Sequence, residues 1–201
     1  SDMDIGQIRS ALTSEIHAPP LSELVGLRLA SVLIIIYGKN PFIIMTKRSR
    51  KIKRHAGEIA FPGGNWVEKD GDFMTTAIRE TKEELDLEVS KEQIIGQLDN
   101  VVTLNSRYNI IPFIAILDAV PALVANSEVE SILHIPLESF LKTMGEDIEE
   151  YHLCQSLSCN LPEHRSIEEM YTFTFEKHNV WGASARMLKQ INTLLSKKNL
   201  L

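Results

Sequence analysis

Three glutamates, Glu80, Glu83 and Glu84, crowd one side of a segment whose spacing predicts a helix over Phe73 to Leu87. Met74, Ala77, Ile78, Thr81 and Leu85 recur at intervals of three and four and define its core face, and Asp72 can cap the first turn. At about 100° per residue the three carboxylates share a sector of about 100° directed away from that face. Like charges at this spacing cost helix stability, so the arrangement calls for something that offsets them. Oxygen-only ligands packed together suit a hard divalent cation, Mg²⁺ or Mn²⁺. Arg79, one turn ahead of Glu83, is placed to pair with it and hold its rotamer. Upstream, a short strand over Gly57 to Phe61 is closed by Pro62-Gly63-Gly64. Two glycines there free the backbone to turn sharply, and their backbone groups can approach a metal or a phosphate. A solvated acidic surface would explain the glutamates alone. It does not explain the glycine pair, the acidic loop and the Arg-Glu helix in succession.

The surrounding pattern predicts an α/β chain. Ile5, Ile8, Leu12 and Ile16 have helical spacing, stopped by Pro19-Pro20. Leu29 to Tyr37 reads as a buried strand, Gly38 to Pro41 as a turn and Phe42 to Thr46 as the returning strand. Further strands are expected at Ile94 to Leu98, Ile110 to Leu117, Ile132 to Ile135 and Tyr171 to Phe175, with a closing helix over Gly182 to Ser196. Strands before, between and after helices imply a mixed sheet between helical layers. With 201 residues, 44% hydrophobic and 24% charged, and no repeat or long linker, a single domain over residues 1–201 is expected, its core at about 30–190. Ser1 and Asp2, ahead of Met3, read as an appended remnant. The net charge of −6 excludes a chain-wide basic footprint for nucleic acid. Two cysteines supply no disulfide framework. The longest apolar run is far short of the ~20 residues of a spanning helix, and no leader is visible. A cytoplasmic protein with no membrane partner is expected.

The segment from Gly64 resembles the Nudix box, the signature of hydrolases that cleave a diphosphate linked to another moiety. Arg79, Glu80, Glu83, Glu84 and Leu87 match that pattern, with Gly64 as its leading glycine. It departs in three places. Fourteen residues, 65 to 78, separate Gly64 from Arg79, one more than the general pattern; Asp70 or Asp72 stands where glutamate is usual; and Asp86 replaces the glycine that ends the helix. Aspartate tolerates the left-handed conformation, so a helix stop at Asp86 fits. The extra residue resembles the coenzyme A pyrophosphatase branch, which carries a second motif upstream. Here it reads Ile44-Met45-Thr46-Lys47-Arg48-Ser49, then Lys53, Gly57 and Phe61-Pro62-Gly63-Gly64, with Lys53 in place of arginine and the spacing intact. Ile111-Pro112-Phe113 and Val180-Trp181-Gly182-Ala183-Ser184-Ala185-Arg186 are also similar to that branch. The likeness spans roughly Ala30 to Leu188.

The resemblance implies a Nudix-type α/β/α sandwich and metal-dependent hydrolysis of the diphosphate of coenzyme A or its thioesters, giving 3′,5′-ADP and (acyl-)4′-phosphopantetheine. Metal would be held by Glu80, Glu83, Glu84 and the Gly64 carbonyl, with Mg²⁺ or Mn²⁺ activating a water. Arg79 belongs to the catalytic set, and a general base would come from the box or a later loop, where Glu128 and Glu130 are candidates and Glu128 is preferred. Six cations and no acid lie between Lys47 and Arg54; without them the chain would stand at −12. Such a loop suits a polyanionic small-molecule substrate, and Arg48, Lys53 and Arg54, with Gly63, are the expected substrate-binding residues. Lys53 and Arg54, with Arg48 as a further candidate, are assigned to the 3′-phosphate. The same chemistry on ADP-ribose, NADH or a nucleoside triphosphate is the nearest rival; a non-catalytic nucleotide-binding module is another. A homodimer is left open. His152, Cys154, Cys159 and His164 lack zinc-site spacing. Trp66 and Trp181 are candidate adenine stackers, and His55 a candidate phosphate contact; none is favoured.

Overall fold

Leu33, Ile34, Ile35 and Ile36 show no polar alternation, and all four side chains are fully buried. A strand of that kind needs cover on both faces. In the computed structural model, which describes residues 3–19, 25–53, 55–103, 106–146 and 171–201, they form the centre of β1 (Arg28–Tyr37). Along one edge, β1 pairs in parallel with all ten residues of β7 (Tyr108–Leu117), from Arg28↔Tyr108 to Tyr37↔Leu117. Its other edge is shared. A hairpin leads into β2 (Phe42–Arg48), which pairs with β1 only at Ile36↔Ile43 and Tyr37↔Phe42. Farther back, β4 (Gly63–Asn65) lies antiparallel to Ala30, Ser31 and Val32.

The full mixed sheet runs β3-β2-β1-β7-β5, with β4 on β1, β6 on β7 and β8 on β2. Here β3 is Ile59–Ala60, β5 is Ile94–Gln97, β6 is Val101–Thr103 and β8 is Val129–Pro136. Alternation along β1 divides the core. Leu33 and Ile35 join Ile44, Ile111, Phe113 and Ala115 beneath α2 (Phe73–Leu85), which contributes Ala77 and Leu85. Ile34 and Ile36 join Ile43, Met45, Ile114 and Ile116 on the opposite face. That face is covered by α1 (Ile5–Leu12), α3 (Leu137–Leu141) and α4 (Gly182–Lys197), through Ile8, Leu12, Phe140, Leu188 and Ile191. The result is the expected α/β/α sandwich. A three-stranded ribbon of β9 (Gly145–Glu146), β10 (Tyr171–Phe175) and β11 (His178–Val180) lies against α3 and α4, with Phe173 packed on Phe140. Among the described residues no helix is long and apolar enough to cross a membrane.

Three local expectations are corrected. First, α1 stops at Leu12, and Ile16 is 43% exposed. Ser14 donates its backbone N–H to Ile95 O at 3.1 Å and its hydroxyl bridges Gln97, so the chain leaves the helix to run beside β5. Second, α2 ends two residues early, at Leu85, where Asp86 adopts φ 54° and ψ 39° as a left-handed cap. Third, Gly63 and Gly64 are strand residues and neither has positive φ. In addition, β6, α3, β9 and β11 are too short to leave a periodic signal in the sequence.

Candidate active site

Close approach requires glycine at 63 and leaves room for a Cβ at 64 only if the Glu80 side chain moves. A Cβ on Gly63 would stand 2.3 Å from Ser31 O and 2.7 Å from the Val32 Cα. One on Gly64 would stand 2.5 Å from the Glu80 carboxyl carbon. So β4 is pressed onto β1 on one side and against α2 on the other. Its flanks are fastened by Leu33 N–H to Pro62 O and Trp66 N–H to Leu29 O, both 2.9 Å.

The start of α2 is capped by Asp72, whose carboxylate accepts the Thr75 N–H at 2.7 Å. Asp70 has a different task. It takes a bidentate pair from Arg79, Nε to Oδ1 at 2.8 Å and Nη2 to Oδ2 at 3.0 Å, and also accepts the Thr76 hydroxyl at 2.8 Å. The Arg79 guanidinium, with Thr76 and the Val67 N–H, holds the Asp70 carboxyl down at about 2 despite burial. The remaining Arg79 edge reaches Glu80 Oε1 at 2.9 Å and Glu83 Oε1 at 3.2 Å, and Asn65 O at 3.3 Å. Arg79 therefore does more than pair with Glu83. It connects the acidic loop, β4 and two of the three glutamates.

The three glutamates do not all face away from the core. Glu83 is exposed, Glu80 is largely covered, and Glu84 is only 3% exposed. The reason is that a second wall closes over their sector. Besides β4, the segment after β7 is bonded to the last turn of α2, Val124 N–H to Leu85 O at 3.0 Å and Asn126 N–H to Glu84 O at 3.1 Å. Burial pushes the Glu84 carboxyl up to about 8; the Glu80 and Glu128 charges add to this, while the Arg48 charge and the Gly63 backbone oppose it. Glu80 is raised too, chiefly by burial.

Glu128 is brought to the same place by the connection into β8. Its N–H donates to Asn126 Oδ1 at 2.9 Å, and its carbonyl accepts the Ser49 N–H at 2.8 Å. Glu130 instead faces Lys47, at 3.6 Å. A cavity of about 690 Å³ is lined by Gly63, Gly64, Glu80, Glu128 and Arg48, and extends over β1 and β7 to the start of α4. The Nε of Arg48 is buried there with no hydrogen-bond partner among the described residues. Lys53 is exposed and does not line the cavity. Arg54 lies outside the described residues, as do His152, Cys154, Cys159 and His164.

Sequence reasoning left several cavity residues unassigned. His55, at φ 56°, pairs through Nδ1 with Glu58 at 2.9 Å, and both line the cavity. Arg28 and Tyr108 line its far end, and the β1 alternation Arg28, Ala30, Val32 was the signal that would have found Arg28. Trp181 also lines the cavity, whereas Trp66 bonds Gly71 O through its indole N–H at 3.1 Å and packs on Phe73.

Among the described residues no three acidic, histidine or cysteine side chains already stand at metal-ligating spacing. Arg79 still holds Glu80 and Glu83. The donor chemistry nevertheless fits a hard dication: only oxygens are offered, Glu84 is strained toward protonation by burial and like charge, and Gly64 keeps the wall open beside Glu80. A nearby cation would relieve what burial opposes.

The family model of the NUDIX domain matches residues 27–154. A Photorhabdus laumondii protein named uncharacterized Nudix hydrolase NudL is 33% identical over 168 residues, covering 82% of this chain and 83% of its own. A Yersinia pestis protein of the same name is 28% identical over 166 residues, covering 82% and 78%. Among solved structures, a MutT/nudix family protein from Enterococcus faecalis superposes with a TM-score of 0.57 at 14% identity, over 91% of this chain and 66% of that one. With a carboxylate-lined cavity beside β4 and over β1 and β7, this chain belongs to the Nudix family and is a pyrophosphohydrolase.

Proposed function

We propose that this enzyme hydrolyses the diphosphate bond of coenzyme A or its thioesters, releasing 3′,5′-ADP and (acyl-)4′-phosphopantetheine. The observation that carries the reading is Arg48. It sits in the upstream motif whose spacing to Gly63-Gly64 resembles the coenzyme A branch, it lines the carboxylate-lined cavity, and its buried Nε has no hydrogen-bond partner among the described residues. An unpartnered buried guanidinium donor is costly unless an anion completes it, and a substrate diphosphate is such an anion.

Glu80, Glu83, Glu84 and the Gly64 carbonyl would hold Mg²⁺ or Mn²⁺, which when bound neutralises the diphosphate and acidifies a water. Glu128 takes the proton of the attacking water from its place beside Glu80 and Glu84. Oxygen adds to one phosphorus, the bond to the bridging oxygen breaks, and the other phosphate leaves with the electron pair. Arg79 keeps Glu80 and Glu83 in their rotamers through its anchor on Asp70, and Arg48 balances charge on the diphosphate.

Purified protein assayed with coenzyme A, ADP-ribose, NADH and deoxynucleoside triphosphates, each with Mg²⁺ or Mn²⁺, tests this directly. Coenzyme A or an acyl thioester should have the highest kcat/KM. Faster turnover of ADP-ribose, NADH or a triphosphate would move the assignment to another Nudix substrate, and no turnover with any would favour a nucleotide-binding module.

A further inference from the structure

The cavity has a second polar end that the diphosphate chemistry leaves unused. Its floor is a sheet face on which Arg28, Ala30 and Val32 of β1 alternate beside Tyr108 and Ile110 of β7. Gly64 stands in register with Ser31. From there to Arg28 is three residues, roughly 10 Å along the strand. The carboxylate wall and Arg28 thus share one cavity, with Ala30, Val32 and Ile110 forming an apolar stretch between them.

Arg28 is held but not neutralised. Its backbone N–H donates to Arg107 O at 2.8 Å, and its guanidinium lies 5.8 Å from the centre of the Tyr108 ring. Its side chain makes no hydrogen bond or ion pair with any described residue, whereas Arg186 in the same cavity donates to Val102 O at 2.7 Å. Stacking on a ring occupies only the face of a guanidinium, and all five N–H donors lie in its plane. The edge therefore stays available for two parallel bonds to a phosphate. Thr103 and Ser106 line the same end with their hydroxyls 2.6 Å apart; one donates to the other, which leaves one hydroxyl proton for a phosphate ester.

The geometry points to Arg28, braced on Tyr108, as the specificity residue for a second phosphate carried on the sugar of the substrate's nucleotide half. This rests on the coenzyme A reading above, and replaces Lys53 with Arg28 in the role of distal-phosphate contact. The metal site cannot make that distinction, because substrates with and without the sugar phosphate share the scissile diphosphate.

Two measurements separate this inference from the reading beneath it. Calorimetric titration of the wild-type protein with 3′,5′-ADP and with 5′-AMP should show tighter binding of the first by about ten- to a hundredfold. Arg28→Ala should remove most of that preference, Arg28→Lys should keep part of it, and Lys53→Ala should keep it nearly whole. In turnover, Arg28→Ala should raise KM for coenzyme A while changing 3′-dephospho-coenzyme A by no more than about twofold. A thermal melt of each variant keeps folding apart from binding, and Tyr108→Leu gives a second, milder test by removing the brace alone. A wild-type preference that survives Arg28→Ala would overturn the inference and leave the coenzyme A reading intact. So would a wild type that binds both nucleotides equally yet turns over coenzyme A. Equal losses on both substrates in Arg28→Ala would place Arg28 at the diphosphate or in the fold, again against it. Absence of coenzyme A turnover in the wild type would instead defeat the underlying reading, whatever the titrations give.

Discussion

Asp70 and Glu84 are both buried carboxylates, and their surroundings push them in opposite directions. Asp70 meets a bidentate arginine, a hydroxyl and a backbone N–H, and its carboxyl is held at about 2. A folded-state pKa below the unfolded one, 3.8, means that the unfolded chain binds the proton more readily. The stabilisation is fully present above about pH 4 and is lost as pH falls toward about 2. Asp70→Asn should destabilise the protein at pH 7 by about 1.5–3 kcal/mol, since it removes charge-assisted bonds and frees Arg79. The deficit relative to wild type, read from denaturant melts, should shrink as both proteins are acidified toward pH 2. Glu84 has no such partner set; burial and two neighbouring carboxylates raise it to about 8. Glu84→Gln keeps the shape and removes the charge. Turnover should fall by at least about a hundredfold if Glu84 ligates metal, while the Tm of metal-free protein at pH 7 should rise, because a carboxyl raised from 4.5 to about 8 costs folding stability above about pH 4.5 that an amide does not. Near-normal activity at low metal, or a lower metal-free Tm, would contradict this.

At the scale of elements, the contact between β4 and α2 is the feature that makes a site out of a sheet and a helix. Two adjacent glycines there should fail differently when replaced. A methyl at position 63 meets backbone and the Val32 side chain, which cannot move without opening the β1–β4 ladder. Gly63→Ala should therefore lower stability by about 1–3 kcal/mol. The three nearest atoms to a methyl at 64 all belong to the end of the Glu80 side chain, which can swing aside. Gly64→Ala should keep a near wild-type melt but lose metal affinity and kcat, and kinetics against metal concentration would show it. The sequence announced that these glycines matter and gave the wrong reason, a sharp turn, because strand β4 has only three residues and no period to read. Longer elements were legible for the converse reason. Leu33 to Ile36 is legible as an unbroken apolar run, and the face of α2 and the alternation in β10 repeat often enough to expose their period. The placement of Glu84 was not legible, because a helical wheel shows a sector but not the loop at Val124–Asn126 that folds over it.

For the molecule as a whole, net charge and local charge make opposite predictions about substrate encounter. The chain carries −6 overall, which by itself repels a polyanion. Yet six cations are concentrated between Lys47 and Arg54, Arg48 among them lines the cavity, and Arg28 and Arg186 line its far side. Fields of surface charges decay over about 10 Å at 0.1 M salt. The mouth of the cavity therefore senses its own rim far more than acids on distant faces, as clefts lined by one sign of charge do. This arrangement is visible in the sequence only as a basic run; that β1 and α4 bring two more arginines to the same cavity follows from the parallel β1–β7 register and the position of α4. If the rim governs encounter, kcat/KM for coenzyme A should fall several-fold as inert salt is raised from about 20 to about 300 mM at saturating metal, with kcat nearly constant. Neutralising Arg28 and Arg48 together should flatten that dependence, because both cations line the cavity that the substrate enters. A kcat/KM that rises with salt would mean that the net −6 dominates, and that the basic run does not steer the substrate.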